Sequence, residues 1–446
     1  MKNYDNRQKL VCAMLFAILL VSVVFNVFSG NKIVYMDERD YVALSESIAT
    51  QHQYIGDDLK STAYRPPIYP LVLSMFSWLN GNKIVVLKIL NSIFLVFTAL
   101  LYGLISAEVD NRRTQVICIA LIGLYPIFYF TSSLLYPQIF GAMLFALISW
   151  IILKHGVKTS ELVVAGILYG LLILTVPLFI LTLPIIALFM LLDADSGKFV
   201  SKLIRPLVFC LIAAVVVLCW TARNYYVFNK FIPIATNSGF NLFVGNSENA
   251  GFNTGTAIDL KEHELEIEKQ NLNEYEKDLY YRNQAIEWIK TNPGGAIKLY
   301  FGKVLNYFNY TNKLFVEEQG SKVKDIIMFI SYMPLLLIAI VRLFFIVRVP
   351  LSRTEKYLYL IYFGMAFMSA IFFTRLRFRV PFDFCLIAIV SIACSKFLSR
   401  SRLDQLRIKN WGIPPAAPAF TLRPSCSTKL SSLRGAEGTE KELATD

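Results

Sequence analysis

The chain has 446 residues, of which 55% are hydrophobic and only 17% are charged. Runs of about twenty apolar residues recur along it, so most of the chain must lie in lipid. The net charge of +12 does not indicate nucleic-acid binding, because the Lys and Arg residues mostly flank apolar runs instead of clustering with exposed aromatic residues. No disulfide framework is expected, since the cysteines fall inside apolar runs, except Cys426 in a polar tail.

The apolar runs predict an all-α polytopic membrane protein with about ten transmembrane helices, within a range of nine to twelve. The first run follows Lys2, Arg7 and Lys9 and is longer than a usual signal-peptide core, so we expect a retained signal anchor. Only a break at Val176-Pro177 separates the fifth run from the sixth, and each is short for a ~30 Å core. The predicted spans are 10–28, 84–106, 114–131, 134–153, 161–176, 177–192, 203–221, 325–347, 355–373 and 380–397.

Basic residues in the short loops predict the orientation of the chain. They fall on the side shared with the basic N-terminus, which makes that side cytoplasmic and places both termini there. These basic residues are Arg112, Arg113, Lys154, Lys158, Lys198, Lys202, Arg205, Arg348, Arg353 and Lys356. The predicted domains are a transmembrane core (1–221) with a first outer loop (29–82), an extracytoplasmic module (222–324), C-terminal transmembrane helices (325–399) and a disordered cytoplasmic tail (400–446).

The first outer loop is expected to contain two surface-lying helices. Asp37 is predicted to cap the first helix, with Tyr41, Leu44 and Ile48 forming an apolar stripe at helical spacing. The second helix is expected after Pro66-Pro67, through 71–79, with a stop at Asn80-Gly81.

The module at 222–324 is too long for a simple connector and is predicted to fold. Its first part, 231–255, is rich in Asn, Gly and aromatic residues and is expected to be irregular or short-stranded. Its second part, 259–288, is charged and helical in pattern, and a break at 291–295 precedes another amphipathic helix, 296–308.

The first candidate for chemistry is the acid pair Asp37-Glu38, directly after the first span. A carboxylate at a membrane surface can take the proton of an acceptor hydroxyl or help to hold a divalent cation. The alternative is a helix cap with a solvated neighbour, which an acidic first turn also suits. If a metal such as Mg²⁺ or Mn²⁺ takes part, Asp37 and Glu38 are its candidate ligands, and the residues do not decide whether one does.

Arginines are the second candidate. Arg65, held by the Pro66-Pro67 turn, can bind a phosphate through two parallel hydrogen bonds, or it can reach to lipid headgroups. Arg375, Arg377 and Arg379 lie in a short outer loop against the positive-inside bias, and their alternate spacing points them one way if the loop is extended. Such a group of cations favours an anionic ligand.

Aromatic and amide side chains form the third group. Arg223, Asn224, Asn241 and Asn246 could contact a sugar, although aromatic residues such as Trp220 are also expected at any span end. His263 lies among glutamates and is interpreted as a solvated helix residue. No zinc spacing and no phosphate-binding glycine loop occurs, which disfavours nucleotide donors.

Several short motifs together resemble bacterial membrane glycosyltransferases of the C structural class. The resemblance is to the dolichyl-phosphate-mannose-protein mannosyltransferase-like and lipid A aminoarabinose transferase-like family (glycosyltransferase family 39-like), and it covers residues 10 to about 400. The motifs are Met36-Asp37-Glu38 with Tyr41, Tyr64-Arg65-Pro66-Pro67 with Tyr69-Pro70, Trp220 with Arg223-Asn224-Tyr225, Gly245-Asn246, Asn292-Pro293, and Arg377 with Arg379 and Pro381.

This resemblance implies a polyprenyl-phosphate-linked sugar as donor and inversion at the anomeric carbon. It implies Asp37 as the catalytic carboxylate, Glu38 as its acidic partner, and donor-phosphate ligands at Arg65, Arg377 and Arg379, to which we add Arg375. Tyr41, Tyr64 and Tyr69 are further expected substrate ligands. Aminoarabinose enzymes commonly have acid–Lys–Pro where this chain has Tyr64-Arg65-Pro66 and carry a larger outer domain, so another acceptor is expected.

The expected protein is therefore a hexosyl or pentosyl transferase of the bacterial inner membrane. Its active site is expected on the outer face, and its partners are the lipid-linked sugar, membrane lipids and a lipid, glycan or protein acceptor. Two alternatives stay open. One is a polysaccharide polymerase or ligase, and the other is a lipid-linked-glycan transporter, which an absence of mid-span acids disfavours.

Overall fold

The computed structural model describes residues 2–56, 59–76, 78, 83–193, 199–311 and 322–411. The contacts divide the chain into residues 1–397 and 398–446, and the packing below concerns the first unit. The described residues are helical apart from connections and one isolated bridge between Ile55 and Ser61. This confirms the all-α prediction.

The first loop follows a long N-terminal helix and contains two short helices. The three helices are α1 (Lys2–Ser29), α2 (Met36–Gln51) and α3 (Ile68–Ser74). Tyr41 and Leu44 of the predicted stripe are buried and Ile48 is half-buried. Helix α3 ends at Ser74, before the predicted end, and the predicted stop at Asn80-Gly81 lies outside the described residues.

The next helical stretch, α4 (Lys83–Gly123), covers the second predicted span and the start of the third. A Cβ on Gly103 would lie only 3.1 Å from the Ile119 side chain. In a straight helix these residues would be about 24 Å apart, so the chain turns back on itself between them. The turn coincides with the basic residues Arg112 and Arg113, where the sequence predicted a loop between spans.

Shorter apolar helices build the middle of the unit. They are α5 (Pro126–Ser132), α6 (Gln138–Leu153), α7 (Thr159–Ile173), a 3-10 helix (Pro177–Thr182), α8 (Leu183–Leu192) and the longer α9 (Phe199–Phe228). Gly166 and Gly170 allow α7 to pack closely on α9, because a Cβ on Gly170 would lie 2.8 Å from the Ala213 carbonyl oxygen. The break predicted at Val176-Pro177 separates α7 from the 3-10 helix.

We call residues 229–311 the loop module. It contains α10 (Ser238–Gly245), α11 (Lys261–Lys269), α12 (Glu274–Thr291) and α13 (Pro293–Tyr307). The two helical predictions for its second part are confirmed, but the first part contains α10 and no strand among its described residues. A small apolar cluster around Phe243, Val244 and Tyr281 explains the helix, because α10 packs on α12 through it.

The chain ends in three helices, α14 (Lys322–Phe344), α15 (Arg353–Ser369) and α16 (Leu376–Trp411). Helix α16 begins four residues before the predicted span and continues past residue 399, where the disordered tail was predicted to start. Residues 412–446 of that predicted tail lie outside the described residues.

Every predicted span falls on a helix, but not every helix is long enough to span a bilayer. In the described ranges five helices meet the length and hydropathy expected of a span, and the pair Arg112–Gly123 and Pro126–Ser132, bent by 64°, could form a sixth. Helices α6, α7, α8 and α15 are shorter. The protein is therefore a polytopic membrane protein, and length supports five or six of the ten predicted spans.

Candidate active site

Asp37 lies in the first turn of α2, where two distant arginines meet its carboxylate. Its Oδ1 accepts a hydrogen bond from Arg65 Nη2 at 2.7 Å, and its Oδ2 accepts one from Arg377 Nη1 at 2.8 Å. The Tyr136 hydroxyl also donates to Oδ2 at 3.3 Å. The predicted capping role is wrong, because Tyr35 holds the N-cap position and the Asp37 side chain points to the arginines.

Arg65 is held on both sides. Its Nε and Nη2 donate to Asp40 Oδ2 at 3.0 and 2.7 Å, and its guanidinium lies over the rings of Tyr41 and Tyr64. The Tyr54 hydroxyl donates to the Arg65 carbonyl oxygen at 2.8 Å, which orders the backbone before the Pro66-Pro67 turn. The structure thus brings Arg65, Tyr41 and Tyr64 together beside Asp37.

Glu38 has a different environment from its neighbour. It is fully buried, and its Oε1 accepts from the backbone N–H groups of Val34 and Tyr35, both at 2.9 Å. Its Oε2 accepts from the Leu135 N–H at 2.8 Å. Glu38 therefore caps α2 and ties it to the chain before α6, and it does not face the site as the predicted acidic partner would.

We expect Glu38→Gln to lower the free energy of unfolding by about 1–3 kcal/mol, because the amide nitrogen cannot accept one of the three backbone donors. Thermal or denaturant unfolding in detergent micelles measures this. Glu46→Gln is the matched control on the same helix, since Glu46 is exposed and forms a surface ion pair with Lys83. Equal stability of the two variants would contradict the capping role.

The three predicted phosphate ligands near α16 do not act alike. Arg377 bonds Asp37, and Arg375 Nη2 donates to the Thr254 carbonyl oxygen at 3.1 Å. Arg379 is fully buried: its Nε donates to Asp383 Oδ1 at 2.9 Å and its Nη1 to the carbonyl oxygen of Tyr307 at 3.0 Å.

The assignment of Arg379 to a phosphate is contradicted by this burial. The prediction requires an extended loop, but the helix begins at Leu376, and residues two apart on a helix point about 200° apart. Asp383 is also a buried acid within a predicted span, where none was expected. The spacing of four residues between Arg379 and Asp383 was the available signal for this pair.

The charges around Asp37 favour its ionised form. Burial acts to raise the pKa of Asp37, but Arg377 and Arg65 outweigh it and hold the pKa below its usual value. Burial, with the neighbouring charge of Arg377, lowers the pKa of Arg375. The arginines Arg65, Arg375 and Arg377 outnumber the carboxylates Asp37 and Asp40 here, which makes the site a suitable place for an anion.

Most of the other predicted substrate ligands are used inside the protein. Tyr69 is fully buried and donates to Asn91. Arg223 donates to the Thr62 and Tyr54 carbonyl oxygens, Asn224 to that of Ile232, and Asn246 to those of Leu242 and Ile371. These side chains hold loops in place and do not face Asp37. Asn241 is half-buried on α10, and its role stays a prediction.

A metal does not fit the carboxylates at this site. No group of three or more His, Cys, Asp or Glu side chains that could hold an ion occurs in the described part of the chain. The oxygens of Asp37 face two guanidinium groups, Asp40 faces one of them, and Glu38 points to backbone N–H groups. The Arg65 guanidinium thus lies between Asp37 and Asp40, in the place that a cation shared by these two carboxylates would take.

Tyr136 was not among the predicted site residues, although its hydroxyl contacts Asp37 and its ring stacks on Tyr35 with centroids 5.8 Å apart. In the sequence Tyr136 looks like one more apolar residue at the start of a span. Glu274 and Lys303 of the loop module were not predicted either, because they look like ordinary residues of charged or amphipathic helices.

The sequence matches no family model and no curated protein. Solved structures do match. The apo oligosaccharyltransferase of Archaeoglobus fulgidus has a TM-score of 0.52 at 17% identity, covering 92% of this chain and 52% of that one. The archaeal oligosaccharyltransferase AglB of that organism, in complex with an inhibitory peptide and a dolichol-phosphate, has a TM-score of 0.50 at 17% identity, covering 91% and 52%.

The chain has the C-class glycosyltransferase fold. ArnT from Cupriavidus metallidurans bound to undecaprenyl phosphate is also similar, with a TM-score of 0.46 at 11% identity, covering 90% of this chain and 80% of that one. The chain spans about half the length of the oligosaccharyltransferase that it matches. The fold predicted from the short motifs is thus confirmed, although the sequences have little identity.

Proposed function

We propose that this C-class chain is an inverting glycosyltransferase that moves a hexosyl or pentosyl group from a polyprenyl-phosphate donor to an acceptor hydroxyl at the outer face of the bacterial inner membrane. The observation that carries the proposal is the Asp37 carboxylate, held between Arg65 and Arg377. A carboxylate can take a proton and guanidinium groups can stabilise a phosphate, and the reaction needs both together.

In this reaction Asp37 accepts the proton of the acceptor hydroxyl as its oxygen attacks the anomeric carbon. The attack comes from the face opposite the phosphate, so the new C–O bond forms as the bond to the phosphate oxygen breaks, with inversion. The bonding electrons stay on the phosphate, which leaves as polyprenyl phosphate. The arginines stabilise the charge that develops on that leaving group.

Unused donors support this role for the arginines. The Nε atoms of Arg375 and Arg377 are buried and have no hydrogen-bond partner among the described residues. Buried donors of this kind normally find an acceptor, and phosphate oxygens are strong acceptors for guanidinium groups. We therefore assign Arg377, with Arg375 and Arg65, to the donor phosphate, and Tyr64 and Tyr41 to the surroundings of the sugar.

An apolar cavity close to Arg65 supports a lipid-linked donor. It measures about 680 Å³ and is lined by Tyr54, Pro67, Leu171, Val216, Trp220 and Arg223. Pro67 follows Arg65 by two residues, so a chain in the cavity could end near the arginines. The archaeal oligosaccharyltransferase of the same fold was solved with a dolichol-phosphate, which is a polyprenyl-type phosphate.

The test is the apparent affinity for a polyprenyl-phosphate sugar. Lysine keeps the charge of arginine but loses the paired donors, so we expect Arg377→Lys to weaken donor use by about 1–3 kcal/mol. If Arg377 only reached to lipid headgroups, the Lys variant would have nearly the wild-type affinity for the donor. Arg282→Lys is the control, because Arg282 pairs with Asp278 inside the loop module. Wild-type affinity in Arg377→Lys membranes would refute the phosphate assignment.

The proposal also requires the first loop and the loop module to face the outer compartment. In a cysteine-free background, we expect single cysteines at the exposed positions Ser61 and Glu248 to react with an impermeant maleimide in intact cells. A cysteine at exposed His155, on the predicted cytoplasmic side, should react only after lysis. The opposite pattern at any of the three would contradict this orientation.

A further inference from the structure

The segment that carries Arg65 is held by side chains of the loop module. Glu274, the first residue of α12, accepts from the Thr62 hydroxyl at 2.7 Å and from the Ala63 N–H at 2.9 Å, and also from the Thr236 hydroxyl. Asn237 Nδ2 donates to the Tyr64 carbonyl oxygen at 3.0 Å. The module therefore bonds the chain at each of the three residues before Arg65.

The segment that carries Arg375 and Arg377 is held in the same way. Lys303 of α13 is fully buried, and its Nζ donates to the Phe372 carbonyl oxygen at 2.8 Å. The same Nζ donates to the Gly245 carbonyl oxygen at 2.9 Å and to Asn246 Oδ1 at 3.0 Å. Lys303 thus joins α13 and the end of α10 to the connection between α15 and α16.

Packing makes this second junction tight. A Cβ on Gly245 would lie only 1.8 Å from the Phe372 carbonyl oxygen, so only glycine allows α10 to approach so closely. Asn246 Nδ2 donates to the Ile371 carbonyl oxygen at 2.9 Å, and the Thr374 hydroxyl donates to the Lys303 carbonyl oxygen at 3.1 Å. The position of this segment therefore follows the position of the module.

Glu274 and Lys303 are charged side chains whose hydrogen-bond partners are neutral groups. None of the groups bonded to Glu274 is a cation, and none of those bonded to Lys303 is a carboxylate, as far as the described residues show. Burial lowers the pKa of Lys303 to about 8. Burying a charged side chain costs free energy that an apolar side chain in the same place would not cost. The charge is useful here because charge-assisted hydrogen bonds fix backbone atoms more firmly than neutral ones.

We propose that Glu274 and Lys303 are positioning residues through which the loop module sets Arg65 on one side of Asp37 and Arg377 on the other. The inference rests on the proposed function for the identity of the bound phosphate. Neither residue touches the donor. Each acts through one arginine, Glu274 through Arg65 and Lys303 through Arg377.

Double-mutant cycles test this pairing, with binding of a short-chain polyprenyl phosphate to the purified full chain as the readout. We expect Glu274→Ala and Lys303→Met each to weaken binding by about tenfold or more, the range of a charge-assisted hydrogen bond. Glu274→Gln should recover part of the affinity, because Gln can still accept from the Ala63 N–H but lacks the charge that strengthens this hydrogen bond. Arg282→Met, inside the module, is the matched control and should bind as the unsubstituted protein does.

The decisive result is the pattern of coupling. Glu274→Ala should weaken phosphate binding little further in an Arg65→Lys background but by its full factor in an Arg377→Lys background. Lys303→Met should weaken binding little further in an Arg377→Lys background but by its full factor in an Arg65→Lys background. Additive losses in all four combinations, or unchanged affinity with only a lower melting temperature, would overturn the inference. Transfer is not needed for this readout, so binding without transfer would refute the proposed function alone.

Discussion

Asp37→Asn is expected to lower the rate of sugar transfer by about 10²- to 10⁴-fold, the range for loss of a general base. The amide is close in size to the carboxylate but cannot take a proton, and its nitrogen cannot accept from Arg377. Because the arginines hold the pKa of Asp37 below its usual value, the wild-type carboxylate stays ionised through neutral pH. The measurement is the initial rate of transfer from a radiolabelled polyprenyl-phosphate sugar in membranes at matched protein amounts.

Asp40→Asn is the matched control for this prediction. Asp40 lies one turn along α2 and shares Arg65, but within the described residues its carboxylate bonds Arg65 and not Arg377, and it is more exposed than Asp37. We expect it to lose less than about tenfold in rate, as for a weakened charge pair. Equal losses in Asp37→Asn and Asp40→Asn would mean that Asp37 only helps to place Arg65.

Arg379→Met is expected to lower the free energy of unfolding by about 3–5 kcal/mol, because it leaves the buried carboxylate of Asp383 without its cation. Both side chains are fully buried, and Tyr125 also donates to Asp383, at 3.0 Å. Denaturant unfolding of the purified protein in bicelles measures the effect. The double variant Arg379→Met/Asp383→Leu should regain most of the lost stability, since no charge is then buried alone.

Arg377→Met is the companion variant, two residues away on the same helix. Its side chain is 32% exposed and pairs with Asp37 at the surface of the site, so the stability should change by less than about 1 kcal/mol while transfer is lost. Loss of Arg379 should therefore lower stability, whereas loss of Arg377 should lower activity. An Arg379→Met protein as stable as the wild type would contradict the buried-pair account.

Asp37, Arg65 and Arg377 were predictable as residues of one site because the predicted topology places all three at the same membrane surface. Asp37 and Arg65 lie between the first two predicted spans, and Arg377 lies just before the last one. The apolar helices followed from the same pattern, whereas the C-class fold was implied by the resemblance of the short motifs.

The wrong predictions for Glu38 and Arg379 depended on the direction in which each side chain leaves its helix. Glu38 and Asp37 are adjacent in sequence, but one points to the N–H groups before α2 and the other to the arginines. Arg377 and Arg379 differ for the same reason. Their sequence shows that a charge is present, but only the exact start of the helix determines whether it faces the site or the core.

The roles of Asn224, Asn246 and Lys303 depend on tertiary contacts that the sequence does not show. Asn224 and Asn246 resemble sugar ligands by type, but each donates to a backbone carbonyl oxygen of another segment of the chain, Asn224 to that of Ile232 and Asn246 to that of Ile371. Lys303 is a charged residue on an amphipathic helix, which usually means a solvated face. Its ammonium group is enclosed where Gly245 approaches Phe372, and no local sequence pattern shows that approach.

The most direct measurement of the central claim uses cell membrane vesicles that contain the wild-type protein and the cell's own lipid, glycan and protein acceptors, supplied with polyprenyl-phosphate sugars carrying a label in the sugar. We predict that the label leaves the donor, that polyprenyl phosphate is released in equal amount, and that the label reappears on an acceptor with inverted anomeric configuration. Vesicles without the protein should show none of this. A label that stays on the polyprenyl phosphate and only crosses the bilayer would contradict the claim and indicate transport instead.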